Sequence, residues 1–182
     1  MISSLADAWR WYTSVKELTL AMGALGKKHW NNLPWDGDLG RDNRLRDIEA
    51  SEILSWVDAV HRDLDDLCVL LLFSVFEAIV RERALADVAA ELPSAQHPAL
   101  QYAISTLNEA LEHGSFYKVT EAYKRLNPDL VEQVNQVRKY RNRVAHGRRG
   151  APQNDVDPRI AYDRLQRFLD RLNELPPAPG RP

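Results

Sequence analysis

The stretch Leu67–Val80, LCVLLLFSVFEAIV, decides the fold of this 182-residue chain. Only Ser74 and Glu77 interrupt its apolar residues. From Ile53 onward apolar residues recur every three or four positions, which is helical spacing, and no Pro or Gly occurs before Pro93. A helix that becomes apolar on almost every side is typical of a buried central element. The rest of the chain is therefore expected to pack around it.

The other segments are predicted from the same spacing and from capping residues. None of them has the alternating pattern of a strand, so the predicted fold class is all-α: an up-and-down core of four helices with extra N-terminal and short helices. The expected segments are a helix over 3–26 that Gly26 ends, a loop over 27–44, the central helix from Ser51 or from near Asp47, helices over 98–112 and 115–126, and two helices opened by Asn127-Pro128 and Asp157-Pro158.

We expect one domain over residues 1–175, with the helix and aromatic loop of residues 1–45 packed on it. Residues 176–182, PPAPGRP, are predicted to be a disordered tail. All five tryptophans precede residue 57, and core packing is the preferred interpretation over a ligand-binding aromatic site. Tyr117 and Tyr123 could stack on bases, but core packing is again preferred for both.

One basic segment stands out in a mildly acidic chain. Residues 133–154, here called the cationic window, contain six Lys and Arg residues and no Asp or Glu. Because the whole chain has a formal net charge of −2, the remainder is at −8 without those six charges. Such asymmetry suits a partner that carries phosphates, although a solvated helix face is the simpler interpretation of charge alone.

Composition excludes several classes of protein. The single Cys68 rules out a disulfide within the chain, and there is no Cys/His cluster, P-loop or dinucleotide-binding glycine motif. We therefore expect no metal and no cofactor. The N-terminus lacks signal-peptide features, and the longest apolar run is too short to cross a bilayer, so a cytoplasmic protein without membrane contact is expected.

Within the cationic window, RKYRNRVAHG (138–147) ends the helix that begins at Asn127-Pro128. Spacing places Arg141 beside the apolar stripe of this helix, while Arg138, Asn142 and His146 share an adjoining face. Gly147 suits the left-handed position that follows a helix. A histidine can exchange protons near neutral pH, and an arginine offers a planar fork to phosphate.

Arg141-Asn142-x-x-x-His146 resembles the motif of HEPN domains, in which an Arg is followed by a polar residue and, after a short interval, a His. The form with Ala145-His146-Gly147 is similar to the RiboL-PSP-like branch and its relatives. The resemblance implies an all-helical fold and a metal-independent endoribonuclease, often a toxin or an antiviral defence effector. Where a subgroup carries a modifiable Tyr two residues after the His, this chain has Arg148, so regulation by that route is not expected.

The resemblance assigns catalysis to Arg141, His146 and Asn142. We expect His146 to act as general base or acid, Arg141 to stabilise charge on phosphorus, and Asn142 to orient His146 or hold a phosphate oxygen. The remaining cations are expected to bind the RNA backbone irrespective of sequence: Arg138, Arg143, Arg148 and Arg149.

HEPN proteins also carry a polar or acidic residue on an earlier apolar helix that faces the motif, and Glu77 is the best match here. A buried carboxylate needs a partner, so Glu77 is expected to pair with Arg141 or Arg138, either to orient the guanidinium or only to lock two helices together. Ser74, about one turn earlier, could join the same polar cluster. The other histidines are interpreted as surface or capping residues: His29, His61, His97 and His113.

Cleavage needs both an acid and a base, whereas each chain offers one motif histidine. A homodimer whose motifs face each other across a two-fold axis would supply two, as the resemblance implies. The expected partners are therefore RNA, a second copy and, for a toxin, an antitoxin protein. Two alternatives stay open: a non-catalytic module that binds RNA or nucleotides, and a helical interaction protein in which Arg141 and Glu77 form an internal ion pair.

Overall fold

The computed structural model describes residues 2–92, 96–125, 127–147 and 156–175. This part of the chain is all-helical and contains no strand, which confirms the predicted fold class. None of its helices is long and apolar enough to cross a membrane. The α-helices are α1 Leu5–Lys28, α2 Asn43–Arg46, α3 Ala50–Glu91, α4 Pro98–His113, α5 Phe116–Glu121, α6 Pro128–Ala145 and α7 Pro158–Asn173, with 3-10 turns at Trp30–Asn32 and Asp38–Arg41.

The chain divides into two compact units, and the division falls inside α1 and inside α3. Residues 9–68 form one unit, called the hairpin unit below. The segments up to residue 8 and from residue 69 onward form the other, called the core unit. That residues 1–175 behave as one domain stays a prediction.

Aromatic side chains fill the centre of the core unit. Phe76 of α3 meets Phe116 of α5 at 5.8 Å and Phe168 of α7 at 5.4 Å between ring centroids, in both cases edge to face. Phe73 also meets Phe116 edge to face, at 5.5 Å. Such pairs contribute about 1 kcal/mol each beyond the area they bury. The second half of α3 is therefore the buried central helix that its apolar sequence predicts.

The predicted bounds of α3 are also confirmed. This helix of 42 residues begins at Ala50, and the backbone N–H of Glu49 donates to Glu52 Oε2 at 3.0 Å, so a side chain meets a donor at the helix entry. It ends at Glu91, two residues before Pro93, because proline disfavours helical geometry in the residue before it.

The prediction that Gly26 ends the first helix is wrong, because α1 continues to Lys28. Glycine serves here to let two helices approach closely. A Cβ on Gly26 would lie 3.2 Å from Cγ2 of Ile53, and one on Gly23 would lie 3.3 Å from Cγ1 of Val57. Both glycines thus allow α1 to lie tightly against α3 within the hairpin unit.

The loop between α1 and α3 contains short helical turns that the spacing did not predict, and tryptophans hold it in place. Trp30 is buried, and its Nε1 donates to the carbonyl of Ile48 at 2.8 Å. Trp35 packs against Trp30 at 5.2 Å and donates to the Trp30 carbonyl. Each of these two indole N–H groups therefore has an acceptor inside the loop, as the packing interpretation expects. Trp11 and Trp56 are exposed, so core packing is the wrong interpretation for them.

The predicted start of α7 is confirmed: Oδ1 of its N-cap Asp157 accepts from the N–H of Arg159 at 2.7 Å. The helix expected over 115–126 is shorter, because α5 ends at Glu121 and turns follow it. Residues 148–155 and the Pro-rich tail lie outside the described residues, so Arg148, Arg149 and the predicted disorder of the tail have no structural counterpart here.

Candidate functional site

Helix α6 carries the motif, and its first residue is fixed by a cap. Oδ1 of Asn127 accepts from the N–H groups of Asp129 and Leu130, both at 3.1 Å, and Pro128 occupies the first helical position. The predicted start is thus confirmed. Val134 and Val137 are fully buried on one face. This face fixes the rotation of α6, which in turn decides where the cationic side chains lie.

Arg141 lies at the edge of that buried face, as its spacing predicts. Its guanidinium carbon is 5.7 Å from the ring centroid of Phe73 on α3, and Nη1 donates to Asn142 Oδ1 at 3.1 Å. Its Nε is buried and meets no acceptor among the described residues. Arg141 therefore combines an aromatic support with a buried hydrogen-bond donor for which the described residues supply no acceptor.

His146 forms the C-cap of α6, and its side chain is exposed. Its backbone N–H donates to the carbonyl of Asn142 at 3.0 Å. Gly147 follows with φ +70°, and its N–H donates to the carbonyl of Val144 at 3.0 Å. The left-handed glycine after the motif is thus confirmed, and it closes the helix immediately beyond the histidine.

Asn142 connects the other two motif residues. Its side-chain oxygen accepts from Arg141, and its backbone carbonyl accepts from the N–H of His146. One residue therefore orders both a guanidinium and the segment that carries an imidazole. The three residues lie within the last turn and a half of α6.

Two further cations of the window are held by aromatic rings. Arg138 lies 5.3 Å from the ring centroid of Tyr117 and donates to Asn135 Oδ1 from Nε at 3.0 Å and from Nη2 at 2.8 Å. Arg143 lies 5.1 Å from the ring of Tyr140. Contact with an aromatic ring holds each of these guanidinium groups in place.

Tyr117 and Asn135 extend the site beyond the sequence prediction. Tyr117 is exposed, so core packing is the wrong interpretation for it, whereas Tyr123 does pack against Phe168 at 5.9 Å. A hydrogen bond to the Glu121 carboxylate raises the pKa of the Tyr117 hydroxyl. The signal for Asn135 was its position three residues before Arg138, which places both on one helix face.

Glu77 pairs with a different arginine from the two expected. Its Oε1 accepts from Arg81 Nη2 at 2.7 Å, one turn later on α3, and both side chains are mostly covered. Arg81 also donates to the carbonyls of Leu111 and Gly114 at the end of α4. Arg81 forms the pair in place of Arg138 or Arg141 because, at i+4 on the same helix, it reaches the carboxylate without crossing to another helix. Through its bonds to the two carbonyls, Arg81 fastens α4 to α3, whereas the predicted ion pair of Glu77 with Arg141 or Arg138 is not formed in the described part of the chain.

Ser74 is exposed, and its hydroxyl donates to the carbonyl of Leu70 at 2.8 Å within α3. That bond to the preceding turn is the ordinary state of a serine inside a helix. Membership of Ser74 and Glu77 in a catalytic cluster stays a prediction.

His29, His97 and His113 have the surface or capping environments expected of them, whereas His61 is half-buried where α1 and α3 touch, so the surface interpretation is wrong for it. Nδ1 of His97 accepts from the N–H of Ala99 at the start of α4, and Nε2 of His61 lies 2.8 Å from the Thr19 hydroxyl. His29 and His113 are exposed. Over the described residues, no three His, Cys, Asp or Glu side chains lie close enough together to hold a metal ion.

Comparison of the chain with protein-family models, with curated proteins and with solved structures found no match.

Proposed function

We propose that this protein is a metal-independent endoribonuclease of the HEPN type. The observation that carries the proposal is the arrangement at the end of α6, where Asn142 links Arg141 to the segment bearing the exposed His146. A guanidinium and a titratable imidazole are the groups that RNA cleavage without a metal requires. The 2′-hydroxyl of the RNA supplies the nucleophile, so the protein needs only proton transfer and charge stabilisation.

In the proposed reaction the 2′-oxygen attacks the adjacent phosphorus, and the bond from phosphorus to the 5′-oxygen breaks. His146 takes the proton of the 2′-hydroxyl or protonates the departing 5′-oxygen. Arg141 places its donors on the phosphoryl oxygens as negative charge builds on them. The products are a 2′,3′-cyclic phosphate and a 5′-hydroxyl.

A second copy of the chain would supply the other proton-transfer group. One imidazole cannot act as base and acid in the same concerted step, whereas two motifs facing across a two-fold axis would place two at one phosphate. Arg138 and Arg143, with Arg148 and Arg149 outside the described residues, would bind the flanking phosphates without reading sequence.

The decisive measurement uses purified protein, a labelled single-stranded RNA and EDTA. We expect cleavage by the wild type and a loss of at least about a hundredfold in His146→Ala, the usual contribution of a positioned acid or base. His113→Ala is the matched control, because His113 is also an exposed histidine at the end of a helix and precedes a glycine. Full activity of His146→Ala, or activity that appears only with added metal, would contradict the proposal.

Non-catalytic RNA binding is the second candidate, favoured by the stack of Arg138 on the exposed Tyr117. A surface of this kind binds a strand through stacking and phosphate contacts and needs no proton transfer. RNA retention by both the wild type and His146→Ala, with no cleavage by either, would select this function.

A role as a toxin or defence effector extends the nuclease proposal. Indiscriminate cleavage of RNA would arrest growth, so a host would need an antitoxin protein that covers the end of α6. Expression of the wild type alone should then halt growth, and expression of His146→Ala should not. Equal growth of both strains would remove this extension while leaving the enzymatic proposal intact.

A further inference from the structure

The hairpin unit exposes large apolar side chains along both of its long helices. Each is between 39% and 66% exposed, far more than a core position allows. Scattered apolar residues are normal on a protein surface, whereas a contiguous row on paired helices indicates a binding surface. The row, called the apolar face below, comprises Trp11, Leu18 and Met22 on α1 and Trp56, Val60 and Leu67 on α3.

Helices α1 and α3 run antiparallel in this unit. The Tyr12 hydroxyl donates to Asp65 Oδ1 at 2.7 Å, and the Thr19 hydroxyl lies 2.8 Å from Nε2 of His61. As the residue number rises along α1, its partner's number falls along α3. These pairs define the line along which the two helices touch.

Every member of the apolar face directly precedes a residue that is buried or lies on the contact line. Trp11 precedes Tyr12 and Leu18 precedes Thr19, and on α3 Val60 precedes His61. Met22, Trp56 and Leu67 likewise precede Gly23, Val57 and the buried Cys68.

One residue turns an α-helix by about 100°. On each helix, the residues of the apolar face are therefore rotated by about 100° from the contact line, in the same sense about the axis of that helix. Because the helices are antiparallel, equal rotations bring both sets of residues to the same side of the hairpin. The six side chains thus form one surface.

The apolar residues of the two helices also lie at matching positions along the helix axes. The register of the contact line sets Leu67 level with Trp11, Val60 level with Leu18, and Trp56 level with Met22. The apolar face is therefore a ladder of three rungs, each with one side chain from either helix.

The size of this face suits a protein partner. The two helices lie side by side for roughly 30 Å, and a layer two helices wide is roughly 20 Å across. The six side chains cover residues 11–22 and 56–67, roughly 17 Å of that length, so the face is on the order of 350 Å² and would form the apolar centre of a standard interface of roughly 800 Å² per partner. Two layers of this kind stacked face to face make a four-helix bundle.

Charge identifies the partner and its orientation. Leaving out Lys16 and Asp65, which pair within the hairpin, and the buried Asp66, residues 9–28 on α1 carry three Lys or Arg against one Glu, and residues 50–68 on α3 carry one Arg against three acids. A second hairpin in which α3 covers α1 would bring basic helix to acidic helix twice. A two-fold axis parallel to the helices gives that arrangement, whereas a perpendicular axis would place α1 on α1 and α3 on α3.

We propose that the apolar face binds the same face of a second copy of this chain, with α1 of each protomer packed on α3 of the other. The axis parallel to the helices keeps the rungs level, so Leu18 meets the partner's Val60, and Trp11 meets the partner's Leu67. This interface lies in the hairpin unit and does not depend on the nuclease proposal, whose motif belongs to the core unit.

Sedimentation velocity on the full chain tests the interface. We expect the wild type to self-associate through this face and the dissociation constant of that step to rise at least about a hundredfold in Leu18→Glu, which puts a carboxylate among apolar side chains. Leu20→Glu is the matched control, since Leu20 is 49% exposed on α1 but lies on the opposite side of the hairpin. Circular dichroism checks that both variants remain helical.

Cysteine pairing tests the orientation. Chains carrying Leu18→Cys, mixed with chains carrying Val60→Cys and oxidised, should give a disulfide-linked heterodimer, and Leu20→Cys in place of Leu18→Cys should not. Self-association of Leu18→Glu as tight as that of the wild type would overturn the proposal, as would absence of the L18C–V60C product. A wild type that stays monomeric and instead sediments with phosphatidylserine vesicles would show that a membrane surface covers this face.

Discussion

Asn142 works through two different atoms, and substitution can separate their roles. Its side-chain oxygen holds Arg141 and its backbone carbonyl holds His146. Only the first contact depends on residue identity. A substitution at residue 142 can therefore change the contact with Arg141 and leave the backbone contact with His146 in place.

We expect Asn142→Ala to loosen Arg141 and to slow RNA cleavage by about tenfold, because a weakened hydrogen bond to a charged group costs roughly 1.5 kcal/mol. Asn142→Asp keeps the acceptor but adds a negative charge beside the phosphate site. RNA should then bind more weakly to Asn142→Asp than to Asn142→Ala, as fluorescence anisotropy would measure. Equal binding by the two variants would mean that no phosphate comes near residue 142.

Helix α6 positions the whole site, and its N-terminal cap depends only on bonds between Asn127 and the first residues of the helix. Asn127→Ala removes the oxygen that accepts from Asp129 and Leu130, so we expect a loss of about 1 kcal/mol in the free energy of unfolding. Urea titration followed by circular dichroism measures it. Ser115→Ala is the matched control, because Ser115 precedes α5 without a side-chain capping bond and should change little. Equal losses in the two variants would contradict the capping account.

Features set by neighbours in sequence could be predicted from the sequence. The caps at Asn127 and Asp157, the left-handed Gly147 and the uninterrupted α3 each depend on contacts within a few residues. The order of Arg141, Asn142 and His146 along α6 follows from the helical repeat alone. Local chemistry decides these features, so no knowledge of the fold was needed.

Features set by packing could not be predicted. Gly26 resembles a helix stop in sequence, but contact with Ile53 on α3 makes it a point of close approach. Glu77 lies one turn before Arg81, so their pair follows from helical spacing, and only the bonds from Arg81 to the carbonyls at the end of α4 depend on packing. Tyr117 was expected in the core because the sequence does not show whether an aromatic ring will be covered by core side chains or will remain exposed beneath an arginine.

Over the molecule as a whole, the uneven distribution of charge predicts how RNA affinity depends on salt. The chain is at −2, yet residues 133–147 carry four cations and no anion. Each phosphate neutralised on a single strand contributes about −0.7 to the slope of log K against log salt concentration. Arg138→Gln should make that slope shallower by about 0.7, and Arg62→Gln in the hairpin unit should leave it unchanged. An identical slope for all three proteins would place the bound strand elsewhere.

Arg81 has a consequence for the helix that it fastens. No residue of α4 is buried, yet its last carbonyls accept from this one guanidinium, which in turn leans on Phe116. Arg81 thus holds the C-terminal end of the helix, whereas residues 98–103 at its start are all exposed. In hydrogen–deuterium exchange, amide protons near Leu100 should accordingly exchange well before those near Leu111. In limited proteolysis, α4 should be the first helix to be cleaved.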